Sequence, residues 1–149
     1  MHIQKSLAII FCCVLAGVVC LPAAKADTWD QMTEIKFNEP VEIPGYVLPA
    51  GSYWFVLENS DSNRDIVQIF SADWSHLYAT LQTNPTERQQ ATDRTEIELA
   101  ERPCSNPEAI LKWYYPGLVT GQEFLYPGKQ RKELAGDTQK DVLVETAPM

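Results

Sequence analysis

The stretch that decides the fold is Ser52-Tyr53-Trp54-Phe55-Val56-Leu57-Glu58. Tyr53, Phe55 and Leu57 fall on one face of an extended chain, and Trp54 and Val56 fall on the other. Aromatic and aliphatic side chains repeating with a period of two form a strand, not a helix. Apolar groups on both faces mark a central strand covered on both sides. The alternative is that one of its faces binds a ligand.

Outward from this strand, short extended runs alternate with turn residues. Upstream, Thr33–Phe37 points Ile35 and Phe37 inward and is broken by Pro40. Val41–Ile43 and Tyr46–Leu48 flank Pro44-Gly45, where proline presets φ and glycine takes the positive φ of a type II turn. Leu48-Pro49-Ala50-Gly51 then turns the chain into the decisive strand. Downstream, Asn59–Asn63 reads as a hairpin loop, Arg64–Phe70 as the returning strand, and Ser71–Ser75 as a second loop. His76–Thr83 alternates, with Leu77, Ala79 and Leu81 opposite His76, Tyr78, Thr80 and Gln82.

Asn84–Asp93 is polar and reads as a long loop, and Thr95–Glu101 as a half-buried strand. Pro107-Glu108-Ala109 suits the opening of a helical turn. Lys112–Tyr115 and Gln122–Tyr126 form two further strands, each ending in Tyr-Pro-Gly. About eight short strands at this spacing predict an all-β domain, an antiparallel β-sandwich or small barrel. After Gly128 the chain turns polar. A short frayed helix over Lys129–Ala135, an edge strand over Asp141–Glu145 and a mobile tail are expected there.

The first 26 residues read as a secretory signal: Lys5, an apolar run from Ser6 to Leu21, and Ala24-Lys25-Ala26 with cleavage after Ala26. The organisation expected is therefore a signal peptide over 1–26, a β-domain over 27–128 and a tail over 129–149. Cleavage removes Lys5 and Lys25, which takes the net charge from −8 to −10. So acidic a chain repels phosphate backbones, which argues against nucleic-acid binding, and no basic cluster suits anionic lipid. After the signal no apolar run approaches the roughly 20 residues that span a bilayer.

Cys12, Cys13 and Cys20 leave with the signal, and Val19 before Cys20 fits a lipid-anchor motif poorly. Cys104 remains alone, so no intramolecular disulfide can form. The chain has no usable glycosylation sequon, since Asn84 precedes Pro85. Export without either feature points to a bacterial periplasm or cell exterior.

Glu39-Pro40-x-x-Ile43-Pro44-Gly45-x-x-Leu48-Pro49-Ala50-Gly51-x-Tyr53 resembles a family of small, uncharacterised exported bacterial β-domain proteins. Val67-Gln68-Ile69-Phe70, His76-Leu77-Tyr78-Ala79-Thr80, Glu101-Arg102-Pro103, Trp113-Tyr114-Tyr115-Pro116-Gly117 and Gly121-Gln122-Glu123-Phe124 add to the likeness. It runs from about Phe37 to Gly128. The resemblance implies a compartment and a fold and supplies no active site.

Candidate chemistry is sparse. His76 is the only histidine outside the signal, which excludes a histidine-rich zinc site. With Asp73 or Glu123 it would make an acid–base pair, the basis for reading the chain as a small hydrolase or isomerase. The competing reading is a loop-capping histidine. Asp61, Asn63 and Asp65 have the spacing that opens a calcium loop, but Ile66 and Ala72 stand where glycine and glutamate are required. Cys104 has only His76 as a possible base and reads otherwise as an incidental or intermolecular thiol. Glu101-Arg102 and Glu123 lie beside strand ends, where paired carboxylates could serve glycoside hydrolysis, but structural ion pairs or solvated edges are the default reading. No cofactor or metal site is expected.

Four tryptophans and six tyrosines are the richer signal. Most serve a core that lacks disulfides, but Trp74 sits in a polar loop and is expected to be exposed. With Trp54, His76 and Tyr78 on the same face it would form an aromatic platform. The reading is then a non-enzymatic exported domain that binds an envelope protein or a surface glycan. A structural envelope component is the other non-enzymatic possibility.

Overall fold

The computed structural model describes residues 31–58, 65–103 and 105–144. The expected signal and its expected cleavage point at Ala26 lie outside these residues, as do Trp29, Asp61, Asn63 and Cys104.

Among the described residues ten strands and one short helix follow in chain order: β1 (Met32–Phe37), β2 (Val41–Ile43), β3 (Tyr46–Leu48), β4 (Gly51–Leu57), β5 (Ile66–Ser71), β6 (Leu77–Glu87), β7 (Thr95–Glu101), β8 (Glu108–Tyr114), β9 (Thr120–Phe124), α1 (Gly128–Leu134) and β10 (Thr138–Val144). The fold is all-β. Hydrogen-bonded neighbours run β1-β4-β5-β6-β9-β8-β2-β3, with β7 on the free side of β8 and β10 on β7. Every pairing is antiparallel except β2 with β8.

The decisive strand is β4, held between β1 and β5. Its inner residues Tyr53, Phe55 and Leu57 are buried, while Trp54 and Val56 on the outer face are only half-buried. β6 joins the two halves of the structure. Its first part pairs with β5 through Gln82, and its second part pairs with β9 from Thr83 onward. The halves face each other across the Phe55 ring, which lies 6.1 Å from Trp113 and 6.3 Å from Phe124. Ile35, Ile69, Ile97 and Ile110 fill the same core, all fully buried. Thr83 and Gln122, buried polar residues at the joint, satisfy each other through a 2.7 Å hydrogen bond.

The structure departs from the sequence reading at four places. Asn84–Glu87, expected in a loop, continues β6 with Pro85 inside the strand, opposite Gln122. Thr83 N–H donates towards β5, to Asp65 O at 2.7 Å. Two residues on, the nitrogen of Pro85 points to the same side, past the end of β5 (its first residue being Ile66). Proline thus occupies a position where no donor is required. Glu108-Ala109 begins β8 instead of a helical turn, because Ala109 and Ile110 are buried and β2 pairs alongside.

Leu77 faces outward. A bulge between Ile69 and Phe70 leaves Tyr78 as an extra residue in β6 and reverses the alternation before Ala79. Finally, residues 128–144, set apart by their polar composition, carry the expected short helix and an edge strand that begins at Thr138, ahead of the expected Asp141. β10 pairs with β7 along all seven residues, and Leu134 of α1 is buried. Ladder hydrogen bonds come from the backbone, so a polar sequence can complete a sheet edge.

Candidate functional site

The loop between β5 and β6 is closed by its own hydrogen bonds. Ser71 N–H donates to His76 O at 2.8 Å, and Trp74 N–H donates to Ser71 O at 2.9 Å. Asp73 Oδ1 accepts from Ser71 Oγ at 2.6 Å, from Ser75 Oγ at 2.8 Å and from Ser75 N–H at 3.2 Å. Ser71 Oγ in turn accepts from His76 N–H at 2.9 Å. Hydrogen bonds from Ser71 and then Ser75 hold the Asp73 carboxyl down at about 2.

This network fixes Trp74 in the left-handed region, at φ 60. A bulky residue in that region costs on the order of 1–3 kcal/mol, and the surrounding loop must over-determine it. The strained backbone delivers the indole onto Trp54, with ring centroids 5.3 Å apart and planes 24° from parallel. Phe70, directly opposite Trp54 in the β4–β5 register, lies 5.2 Å from the Trp74 ring. Trp54 Nε1 donates to Ala72 O at 3.2 Å, tying the lower indole to the same loop. Trp74 remains 47% exposed on top of the stack.

The four residues expected to share one platform divide into two groups. Trp54 and Trp74 belong to the stack just described. Tyr78 packs instead against His76 at 4.7 Å, Tyr53 at 5.2 Å and Tyr46 at 6.4 Å. The bulge at Phe70 is the cause, since it turns the Tyr78 ring towards the core. Phe70, which the sequence reading did not single out, is part of the stack. Its alternation from Val67 through Ile69 placed it on the Trp54 face once the hairpin register was known.

The acid–base pairings proposed for His76 are not formed. Asp73 is engaged by Ser71 and Ser75. Glu123 pairs with Asn84, eight residues along the chain from His76. At ~3.3 Å per residue that separates them by about 25 Å, beyond any proton transfer. Arg102 meets Glu42, Asp137 at 3.4 Å and Glu133 at 3.8 Å, so it anchors α1 and the segment after it. Glu101 lies 3.7 Å from Lys140 of β10. Among the described residues no group of three or more histidine, cysteine or carboxylate side chains is placed to hold a metal ion. No helix among them is long and apolar enough to cross a membrane.

No family model, curated protein or solved structure matches the chain. The resemblance to exported β-domains therefore rests on the quoted motifs.

Proposed function

We propose that this chain is an exported, non-enzymatic binding domain and that the Trp54–Trp74 face contacts a surface glycan. The observation that carries the reading is the exposed indole of Trp74, held at a strained φ by a closed hydrogen-bond network. Strain of this kind persists where the surroundings enforce it, and an exposed tryptophan gains no core burial in return. A flat, pre-positioned indole suits the C–H face of a sugar ring, and its rigidity lowers the entropy lost on contact.

Titration with soluble cell-surface oligosaccharides tests this through tryptophan fluorescence. Binding is expected in the wild type and is expected to vanish in Trp74→Ala. Identical titrations in both proteins would remove the aromatic-face reading.

A further inference from the structure

Strand β1 is an outer strand. Among the described residues it is hydrogen-bonded on one side only, to β4. The ladder decides which of its backbone groups stay open. Leu57 N–H donates to Gln31 O at 2.8 Å, and opposed residues of an antiparallel pair are hydrogen-bonded alternately. Thr33, Ile35 and Phe37, opposite Phe55, Tyr53 and Gly51, therefore turn their N–H and C=O groups to β4. Met32, Glu34 and Lys36 turn theirs to the open edge. The side chains of these same residues lie on the outer face, Glu34 half-buried and Lys36 exposed. Neither Glu34 nor Lys36 has an ion-pair or hydrogen-bond partner among the described residues.

An open edge is a template for another strand, and the charges along it decide what can pair. A second copy of β1 meets it antiparallel, across a two-fold axis perpendicular to the sheet. Opposed side chains then share a face, and the hydrogen-bonded pairs come from Met32, Glu34 and Lys36. A register centred on Glu34 sets two carboxylates directly opposite, and one centred on Lys36 sets two ammonium groups opposite. The register centred on Ile35 places Glu34 of each copy opposite Lys36 of the other. Each such pair exchanges two backbone hydrogen bonds and closes an ion pair on the outer face. The edge of β10 offers no such match. Lys140 and Asp141 are adjacent and so lie on opposite faces, and Lys140 is already held by Glu108 and Glu101.

We propose that β1 is a self-recognition edge, pairing with β1 of a second copy about Ile35 to form a closed dimer. The contact is isologous, so it ends at two copies. The axis keeps both outer faces on one side. The two β4 strands then stand three strand spacings apart, about 14 Å, each with its Trp54–Trp74 stack on that side. On the glycan reading this makes the dimer bivalent.

The test is sedimentation equilibrium of the chain from Asp27 to Met149, without sugar, so its outcome is separate from that of the glycan reading. A reducing buffer keeps Cys104 from forming an intermolecular disulfide. One strand edge is smaller than a standard interface, so the protein is expected to be mostly monomer at about 10 μM and mostly dimer at about 1 mM. Lys36→Glu and Glu34→Lys are each expected to stay monomeric, because each sets like charges across the axis. An equimolar mixture of the two is expected to dimerise again, with every Glu opposite a Lys. A wild type that stays monomeric throughout, undiminished self-association of either variant, or a mixture of folded variants that stays monomeric would overturn the proposal. Should one variant fail to fold by circular dichroism, the wild-type series and the other variant decide.

Discussion

Tyr114 lies flat against the backbone of Gly121, its cross-strand partner. A Cβ added at Gly121 would stand 2.3 Å from Tyr114 Cδ1 and 2.6 Å from Trp113 O. The ring cannot move aside freely, because the Arg88 guanidinium covers it at 5.0 Å and Tyr114 is buried. Gly121→Ala is therefore expected to destabilise the domain by about 1–3 kcal/mol, as overpacking does. Urea denaturation checks this, and a shift below about 0.5 kcal/mol would show that the β8–β9 contact yields easily.

Arg88 holds two loops to the sheet. Its Nε and Nη2 donate to Leu118 O at 3.0 and 2.8 Å, and its Nη1 donates to Thr92 Oγ1 and Glu96 Oε2, both at 2.9 Å. Its side chain is 8% exposed and that of Glu96 13%, so removing the cation strands a largely buried carboxylate. Arg88→Met is expected to cost about 3–5 kcal/mol. Adding Glu96→Gln should return part of that loss, and equilibrium unfolding of the double-mutant cycle measures how much.

The Tyr126 hydroxyl donates to Ile110 O at 2.9 Å, with Glu42 O at 3.1 Å. Tyr126→Phe leaves these acceptors short of a donor and should cost about 1–3 kcal/mol. Burial, and next the Glu42 carboxylate, raise the phenol above its ordinary 10.0. A raised value means that the neutral phenol stabilises the fold fully below pH 10 and that this contribution fades as pH climbs beyond it. Tyr53 is raised as well, by burial and then by Tyr78 and Tyr46, and contributes with the same sign. The alkaline decline in melting temperature should therefore be shallower in Tyr126→Phe, without disappearing. Parallel wild-type and variant curves above pH 10 would contradict this.

Asp73 has the opposite sign. Its carboxyl is lowered from 3.8 to about 2 by Ser71 and Ser75. Whatever the ionised group adds to loop order is complete above about pH 3.8 and is lost as pH falls through about 2. Trp74 fluorescence and the Asp73 carboxyl resonance should move together in that acid window. Asp73→Asn should abolish the transition. A Trp74 signal that changes near pH 4 in the wild type would show that Ser71 and Ser75 do not hold the carboxylate.

How much could be read from the chain depended on whether the relevant interaction was local. The β4 alternation and the Pro-Gly turns are local, and Gly45 and Gly117 take the positive φ of 79° and 76° that those turns require. Exposure of Trp74 was also local, since its polar loop could bury little. Pro127-Gly128 looked equally turn-like but opens α1, with Pro127 at its N-cap.

The features that stayed hidden depend on partners far along the chain. Nothing near Pro85 reveals that β5 has ended beside it, and nothing near Arg88 points to Leu118. The bulge that separates Tyr78 from Trp74 is a property of the β5–β6 register, which no single stretch specifies. The β10 pairing is backbone chemistry with little side-chain signature, so only its second half, from Asp141, was legible as an edge strand.

Trp74, stacked on Trp54, is the surface proposed above to contact a glycan. The most direct measurement is depletion of purified Asp27–Met149 by insoluble cell-wall and polysaccharide fractions, with Trp74→Ala in parallel. The wild type is expected to be retained and to be competed off by a soluble sugar, and Trp74→Ala to stay in solution with unchanged circular dichroism. Absence of wild-type retention on every fraction, or equal retention of wild type and Trp74→Ala, would contradict that proposal.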